Sequence, residues 1–132
     1  MPALKTYIVE DNLLIRENLI ATLEELGPIQ VVGVAADEAS AVRWLQAADN
    51  HADLVIVDIF IKSGSGLGVL RATAGRPDRH MVVFSNYATR DVRRTCLRLG
   101  ASRVFDKSND IDELIAYCDE LAASEAGAGA PS

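Results

Sequence analysis

The segment LVIVDIFIKSGSGLGVL, residues 54–70, decides the fold of this chain. It opens with four branched apolar residues, and such an uninterrupted run predicts a strand buried on both faces, as in a parallel sheet covered by helices. Asp58 follows directly, at the point where the strand ends. Glycines at positions 64, 66 and 68 predict a turn that opens a helix. Either these glycines hold a phosphate group, or Asp58 is the reactive group and the glycines shape the turn behind it.

The alternation of a strand with a helix recurs along the whole chain. Further strands are predicted for four runs rich in β-branched residues: TYIV at 6–9, IQVVGV at 29–34, MVVF at 81–84 and RVF at 103–105. Strict alternation, five times over, predicts an open, doubly wound α/β domain with a parallel sheet and helices on both faces. We expect the strand order 2-1-3-4-5, with the chemistry at the carboxyl ends of the strands.

Apolar periodicity predicts the helices. The first helix has a stripe made of Ile15, Leu19, Leu23 and Leu26, and it is expected to stop at the GP pair of residues 27–28. The last helix has the clearest stripe, over about residues 111–122, and Asp110 with Glu113 predicts a capping box at its start. Helices are also predicted over about residues 38–48, 65–74 and 88–99. Asp37 and Ser65 are suitable N-caps, and both cysteines fall inside predicted helices, where we expect them to be buried.

Composition and charge narrow the function. The chain has 132 residues, about one domain, and its hydrophobic fraction of 49% and charged fraction of 24% are typical of globular proteins. With a net charge of −6 it lacks the basic character of a duplex-binding module, so direct nucleic-acid binding is not expected. No apolar run approaches the roughly 20 residues of a membrane helix. Acidic residues also appear too early in the N-terminal segment to leave room for the apolar stretch of a signal peptide. We therefore predict a cytoplasmic domain that does not enter membranes.

Polar side chains follow four of the five predicted strands. The first strand ends in Glu10 and Asp11, the third in Asp58, the fourth in Ser85, and the fifth runs into Lys107. In the order 2-1-3-4-5 the first and third strands are neighbours, so three carboxylates converge on one small site. Two unit charges about 4 Å apart repel by about 4 kcal/mol at an effective dielectric of about 20, and a divalent cation would remove that repulsion. Oxygen ligands with room for water suit Mg²⁺ or Mn²⁺ better than zinc.

An open metal site beside a lysine and a hydroxyl suits a phosphoryl group. The metal and Lys107 would neutralise phosphoryl oxygens, and Ser85 would donate a hydrogen bond to another. A carboxylate can act as the nucleophile, and Asp58, at the end of the central strand, is the best candidate. Any one of these residues alone could equally be a helix cap or a turn residue, and the specific signal is their joint placement. A nucleotide cradle is disfavoured, because the glycine spacing is G-x-G-x-G rather than G-x-G-x-x-G.

Four segments together carry a resemblance to a known family. They are VEDN at 9–12, VIVDIFIKSGSG at 55–66, VVFSNY at 82–87 and GASRVFDKS at 100–108. In this order they resemble the response-regulator receiver domain of two-component signalling, a (βα)5 flavodoxin-like fold, over residues 4–124. Residues 1–124 are accordingly predicted to form the receiver domain, and residues 125–132 a flexible tail.

The resemblance implies a role for each residue at the strand ends. Asp58 would be the phosphoacceptor, Ser85 the switch hydroxyl and Lys107 the lysine that pairs with the phosphate. The donor would be a phosphohistidine on a sensor histidine kinase or a histidine phosphotransfer protein. Phosphorylation would then change the surface formed by the fourth helix, the fifth strand and the fifth helix. Such a domain assists its own phosphorylation and dephosphorylation but is not an enzyme.

The same resemblance implies a metal site and two modulating side chains. Mg²⁺ (or Mn²⁺) would be held by Glu10, Asp11, Asp58 and the backbone carbonyl of Phe60. Phe60 and Tyr87 occupy positions that modulate dephosphorylation in this family. Because both are bulky aromatics, we predict that they shield the acyl phosphate from water and slow its hydrolysis.

Three positions depart from the family pattern. Receivers commonly carry Tyr or Phe three residues before the lysine, and this chain has Val104 there, so its aromatic switch is predicted to be weak or replaced. Proline commonly follows the lysine, where this chain has Ser108. Proline is also common four residues after the phosphoacceptor, where this chain has Lys62.

Three outputs are compatible with the sequence. A stand-alone receiver would act through a protein partner or as a phosphorelay intermediate. The alternative is the N-terminal receiver half of a DNA-binding transcriptional regulator whose output domain is absent from this chain. A metal-dependent phosphatase or transferase would instead turn over a small phosphoester. Arg90, Arg94 and Arg98 share one face of the fourth predicted helix, which is either a solvated basic face or a docking surface for an acidic partner or a second receiver, as in a homodimer.

Overall fold

The computed structural model describes residues 3–129, with side chains through residue 124. The strands are β1 (Leu4–Val9), β2 (Ile29–Ala35), β3 (Leu54–Val57), β4 (His80–Ser85) and β5 (Arg103–Asp106). The helices are α1 (Leu13–Leu26), α2 (Glu38–Gln46), α3 (Gly66–Thr73), α4 (Arg90–Arg98) and α5 (Ile111–Gly129). The strands form one parallel sheet in the order β2-β1-β3-β4-β5. The predicted doubly wound, flavodoxin-like fold is therefore confirmed.

The register of the sheet brings the ends of β1 and β3 together. Val9 of β1 lies beside Val57 of β3, so the residues that follow the two strands begin at the same level of the sheet. β2 is irregular, because Thr6 lies beside Val31 whereas Tyr7 lies beside Gly33. Val32 is therefore an extra residue on this edge strand, as in a β-bulge.

The core consists of two apolar clusters, one on each face of the sheet. Val55 and Val57 of β3 face the first cluster, to which α2, α3 and α4 contribute buried residues. Leu54 and Ile56 face the second cluster, which α1 and α5 cover. Each of these four β3 residues is at most 2% exposed. Burial on both faces is the reason that this strand has no alternation of polar and apolar residues.

The helix starts agree with the sequence in two places and differ in one. The Asp37 side chain accepts a hydrogen bond from Ser40 N, and that of Ser65 accepts one from Leu67 N, so both predicted N-caps are confirmed. The predicted capping box of α5 is wrong. The Asp110 carboxylate instead accepts a hydrogen bond from Asp106 N, at 2.8 Å, and thereby holds the loop before the helix.

The apolar stripe of α1 is only half buried. Leu19 and Leu23 are buried, whereas Ile15 and Leu26 are 38% and 60% exposed. The two exposed residues lie in the terminal turns of α1, and only its middle turns pack into the core.

Of the expected flexible tail, residues 130–132 lie outside the described residues, and α5 continues to Gly129. The domain boundary at residue 124 stays a prediction. Among residues 3–129, none of the helices is long and apolar enough to span a membrane.

Candidate functional site

Backbone hydrogen bonds extend the sheet past the strand ends and hold the polar residues there. Asp58 N donates to Val9 O at 3.0 Å, and Glu10 N donates to Ala35 O at 2.9 Å. On the other side of the site, Lys107 N donates to Ser85 O at 3.1 Å. The residues that follow β1, β3, β4 and β5 are therefore fixed along one edge by the same ladder that builds the sheet.

The Lys107 ammonium group lies between two carboxylates at this edge. Its Nζ donates to Asp58 Oδ2 at 2.7 Å and also to Glu10 Oε1. Glu10 is 2% exposed and Asp58 9% exposed, so the cluster is largely withdrawn from water. Buried carboxylates require a nearby cation, and Lys107 provides it. The structure thus brings together three of the residues predicted to form the site.

Burial and pairing act in opposite directions on the charges of this cluster. Burial by itself would lower the pKa of Lys107, but its hydrogen bonds to Asp58 and Glu10 raise that pKa above the ordinary value. Burial raises the pKa of Glu10, and the hydrogen bond from Lys107 opposes part of that rise. The ammonium is therefore firmly charged at neutral pH, while Glu10 protonates more readily than a glutamate in water.

Two other predicted site residues lie at the same edge but outside this cluster. Asp11 is exposed. Ser85 is fully buried, and its hydroxyl oxygen accepts a hydrogen bond from Tyr87 N at 3.1 Å. The hydroxyl is thus tied to the loop between β4 and α4, so any change in its position would also affect that loop.

Phe60 and Tyr87 form an aromatic pair across the site. Their ring centroids are 4.5 Å apart and their planes meet at 63°, an edge-to-face contact. Phe60 belongs to the loop after β3 and Tyr87 to the loop after β4, so the pair joins the two loops that flank Asp58 and Ser85. Both rings remain more than half exposed. Such a contact contributes about 0.5–1.5 kcal/mol beyond the area that it buries.

The donor set of the site fits a hard divalent cation. Glu10 and Asp58 already direct one oxygen each at a single cation, the Lys107 ammonium. Among the side chains that the structure describes, those of residues 3–124, no three His, Cys, Asp or Glu residues form a metal-binding group by themselves. Two carboxylates completed by a backbone carbonyl and water are a common environment for Mg²⁺, which retains several waters when bound.

The position of the expected aromatic switch is occupied by a core residue. Val104 is 8% exposed and belongs to the cluster beneath α2–α4, whereas Phe105 is 1% exposed and faces the opposite cluster.

Arg93, a residue that the sequence did not single out, connects β5 to α4. Its guanidinium donates to Val104 O and to Ala88 O, both at 2.9 Å, and lies 3.6 Å from an Asp110 carboxylate oxygen. The sequence singled out other arginines of α4, and only the packing of α4 against β5 distinguishes this one.

The glycines after Asp58 are required by close contacts. A Cβ atom on Gly66 would lie 2.1 Å from the carbonyl oxygen of Asp58, so α3 can begin there only with glycine. Gly64 has a φ of 86°, which favours glycine. Gly64 and Gly68 also face the side chain of Glu38, a second residue that sequence analysis missed. The question that these glycines raised is settled against the phosphate cradle, because a carboxylate fills the space beside them.

The fold and this acidic edge with its central lysine define a class of doubly wound signalling domains. The chain belongs to the response regulator receiver domain family, whose model matches residues 6–119. Phosphorylation and Mg²⁺ binding are features of this two-component signalling family, and its members are phosphoacceptors.

The curated relatives match most of this chain but only part of their own length. A protein-glutamate methylesterase/protein-glutamine glutaminase from Koribacter versatilis is 27% identical over 96% of this chain and 36% of its own length. The transcriptional regulatory protein YdfI from Bacillus subtilis is 24% identical over 87% of this chain and 53% of its own. The chain thus spans about half, or less, of the length of these relatives.

The structural neighbours share the fold. A LuxR-family two-component response regulator from an Aurantimonas species has a TM-score of 0.80 and 23% identity, with 92% of this chain and 86% of that chain covered. The response regulator domain of CheB from Thermotoga maritima has a TM-score of 0.75 and 18% identity, with 89% and 97% covered. A response regulator from Burkholderia pseudomallei, solved with a phosphorylated aspartic acid and a calcium ion, has a TM-score of 0.73 and 20% identity, with 95% and 73% covered.

Proposed function

We propose that Asp58 accepts a phosphoryl group from a phosphohistidine of a sensor histidine kinase or histidine phosphotransfer protein. The observation that carries this proposal is the position of the Lys107 ammonium between Asp58 and Glu10 at the carboxyl edge of the sheet. A lysine so placed can neutralise a phosphoryl oxygen as readily as a carboxylate oxygen. We also propose that the receiver domain is cytoplasmic and that it ends at about residue 124.

In the transfer, an Asp58 carboxylate oxygen forms a bond to phosphorus while the bond from phosphorus to the histidine nitrogen breaks. That ring nitrogen keeps the electron pair of the broken bond, and the aspartate becomes an acyl phosphate. Such transfers need little covalent assistance, so catalysis consists mostly of placement and charge neutralisation. Lys107 supplies a positive charge, and the Ser85 hydroxyl group would donate a hydrogen bond to a phosphoryl oxygen.

The metal ligands in this proposal are Glu10, Asp11, Asp58 and the backbone carbonyl of Phe60. Bound Mg²⁺, or Mn²⁺ in its place, would offset the negative charge that the phosphoryl oxygens add to the carboxylates. The exposed position of Asp11 supports a site that is open to solvent and to the donor protein.

The surface beside the site supports docking of a donor protein. Leu13 and Leu14, at the start of α1, are 58% and 68% exposed. Next to them an open groove of about 400 Å³ is lined by apolar side chains, such as Ile15 and Phe84, and by polar ones, such as Asn86 and Lys107. Adjacent exposed apolar residues of this kind mark protein contact sites.

The output surface would be α4, β5 and α5. Arg93 links these elements to the loop after β4 through its contacts with Ala88, Val104 and Asp110. An inward movement of Ser85 toward a phosphate would pull on that loop. A switch from 1:99 to 99:1 requires a differential of about 5.5 kcal/mol. Charge-assisted hydrogen bonds of about 1.5–3 kcal/mol each could supply it.

The exposed arginines of α4 support a protein as the downstream partner. Arg90, Arg94 and Arg98 are all exposed, and Leu97 between them is 51% exposed. An acidic partner or a second receiver, forming a homodimer, would complement this basic row.

The experiment that tests the function is intact-protein mass spectrometry after incubation with acetyl phosphate. We expect one acid-stable, base-labile phosphoryl adduct that requires Mg²⁺ and is lost in Asp58→Asn. The matched control is Asp53→Asn, at the opposite end of the same strand, which should retain the adduct. An adduct that persists in Asp58→Asn would refute the assignment of the phosphoacceptor.

A further inference from the structure

Glu38, the first residue of α2, holds the loop that follows Asp58 although it lies 20 positions away in the chain. Its carboxylate accepts a hydrogen bond from Ser65 N at 2.9 Å, and its backbone N donates to Ser63 O at 3.0 Å. The loop between β3 and α3 is therefore attached to α2 by both the backbone and the side chain of one residue. A carboxylate in this position also lies at the start of α3, where the helix dipole stabilises negative charge.

Two glycines leave the space that this carboxylate fills. A Cβ atom on Gly68 would lie 2.3 Å from Glu38 Oε1, and one on Gly64 would lie 2.5 Å from Glu38 Cβ. Distances this short do not occur between such atoms in folded proteins, so a larger residue at either position would displace Glu38. The glutamate and the two glycines thus form one packing unit, to which the G-x-G-x-G spacing is fitted.

The loop held by this unit leads directly back to the phosphoacceptor. Gly66 N donates to Ile59 O at 2.8 Å, and the Ser65 hydroxyl lies 3.5 Å from the same oxygen. The segment from Ile59 to Gly66 is therefore closed on itself, with Phe60 inside it. Fixing Ser65 from α2 fixes the orientation of this closed segment relative to Asp58.

We propose that Glu38 is a positioning residue for the proposed cation site, because it holds in place the loop whose Phe60 carbonyl would bind the cation. This inference rests on the proposed function. Glu38 acts through Ser65 and Ser63 and touches neither the phosphoryl group nor the cation. Its loss therefore weakens the binding of Mg²⁺ more than it slows transfer at saturating Mg²⁺.

The first test is the Mg²⁺ dependence of Glu38→Ala. We expect the Mg²⁺ concentration for half-maximal adduct formation to rise about tenfold, as for the loss of one charge-assisted hydrogen bond. The rate at saturating Mg²⁺ should stay within about twofold of the native rate, because the transferring groups are intact. Titration calorimetry with Mg²⁺ alone should show the same weakening without any reaction. Glu38→Gln, which keeps an oxygen acceptor for Ser65 N, should restore most of the affinity.

The second test uses the glycine that makes room for the carboxylate. Gly68→Ala should reproduce the effect of Glu38→Ala, because the new methyl group displaces Glu38 from Ser65. Adding Gly68→Ala to Glu38→Ala should weaken Mg²⁺ binding no further, since the displaced group is already absent. The matched control is Glu24→Ala, which also removes a glutamate that accepts a backbone N–H, that of Val31 at 3.0 Å. This control should leave the Mg²⁺ affinity unchanged.

The outcomes separate the inference from the function on which it rests. If Glu38→Ala and Gly68→Ala bind Mg²⁺ as the native chain does and only melt at a lower temperature, Glu38 is a structural contact and the inference is wrong. If the native chain forms no adduct at Asp58 and binds no Mg²⁺, the proposed function itself is overturned. If the effects of Glu38→Ala and Gly68→Ala on Mg²⁺ affinity add fully in the double variant, the two substitutions act independently. That result would also contradict the inference.

Discussion

Replacing Lys107 with methionine removes the cation between two buried carboxylates while it keeps a side chain of similar length. The Lys107 side chain is 10% exposed, and those of Glu10 and Asp58 are 3% and 11% exposed. Water can therefore compensate little for the lost charge. The carboxylates would then repel each other across the space that Lys107 Nζ occupied.

The expected loss of stability follows from this geometry. Both carboxylate oxygens contact one nitrogen atom, so they lie within about 5 Å of each other, where two unit charges repel by about 3 kcal/mol at an effective dielectric of about 20. Removal of one partner from a buried ion pair costs about 3–5 kcal/mol in other proteins. We therefore expect Lys107→Met to lower the free energy of unfolding by about 3 kcal/mol at pH 7.

The dependence on pH gives this prediction its sign. The pKa of Glu10 is already raised by burial, and loss of the hydrogen bond from Lys107 raises it further. A carboxyl group whose pKa is higher in the folded state stabilises the fold below its unfolded pKa, and that stability is lost as the pH rises through the folded pKa. The variant should therefore approach the native chain in stability as the pH falls from 7 toward 4.5. In the native chain the pKa of Lys107 is raised. The ion pair therefore contributes its full stability below the ordinary lysine pKa, and that stability is lost as the pH rises through the raised pKa.

Urea unfolding at pH 7 and at pH 4.5, followed by circular dichroism, measures both effects. Lys5→Met is the control, because Lys5 is exposed at the opposite end of β1. Added Mg²⁺ should reduce the difference between Lys107→Met and the native chain, since a divalent cation replaces the missing charge. A loss below about 1 kcal/mol at pH 7, the value typical of an exposed pair, would refute the reasoning. An equal loss at both pH values would do the same.

Three further predictions concern the surroundings of the site and the core. Phe60→Asn removes the edge-to-face aromatic contact, and we expect the phosphoryl adduct to hydrolyse about twofold to tenfold faster in a decay measured by mass spectrometry; an unchanged lifetime would contradict shielding. Gly66→Ala should lower the free energy of unfolding in urea by about 3 kcal/mol or more, because its methyl group would meet the Asp58 carbonyl. The control is Gly75→Ala. Gly75 has open space around it and a φ of 100°, so this variant should lose only about 1–2 kcal/mol. Burial raises the pKa of Cys118 to about 12, so its thiol should resist alkylation at pH 8 until denaturant is added; rapid labelling of the native chain would show that this part of the core opens.

The sequence predicted the elements whose signals are local. The run from Leu54 to Val57 specifies a strand buried on both faces, and the N-caps Asp37 and Ser65 act within their own helices. The convergence of Glu10, Asp58 and Lys107 was also predictable, because in a parallel sheet the residues after neighbouring strands lie at one edge.

The features that the sequence did not predict depend on contacts between distant elements. The carboxylate of Glu38 meets glycines about 30 residues further on, and no local pattern indicates that the glycines serve a side chain of another helix. Arg93 differs from its neighbouring arginines only in that α4 packs against β5 on its side. The exposure of Leu26 follows from where α1 ends relative to the core, which periodicity alone does not specify.

The irregular step at Val32 has a consequence that we expect for self-association at high concentration. In the described sheet β2 is an edge strand, and such strands can recruit a strand from another chain. Val34 of this strand is 40% exposed and would offer an apolar contact to a strand of another chain. The extra residue disturbs the even spacing of donors and acceptors that continuous pairing requires. We therefore expect the bulge to oppose the extension of this sheet into aggregates.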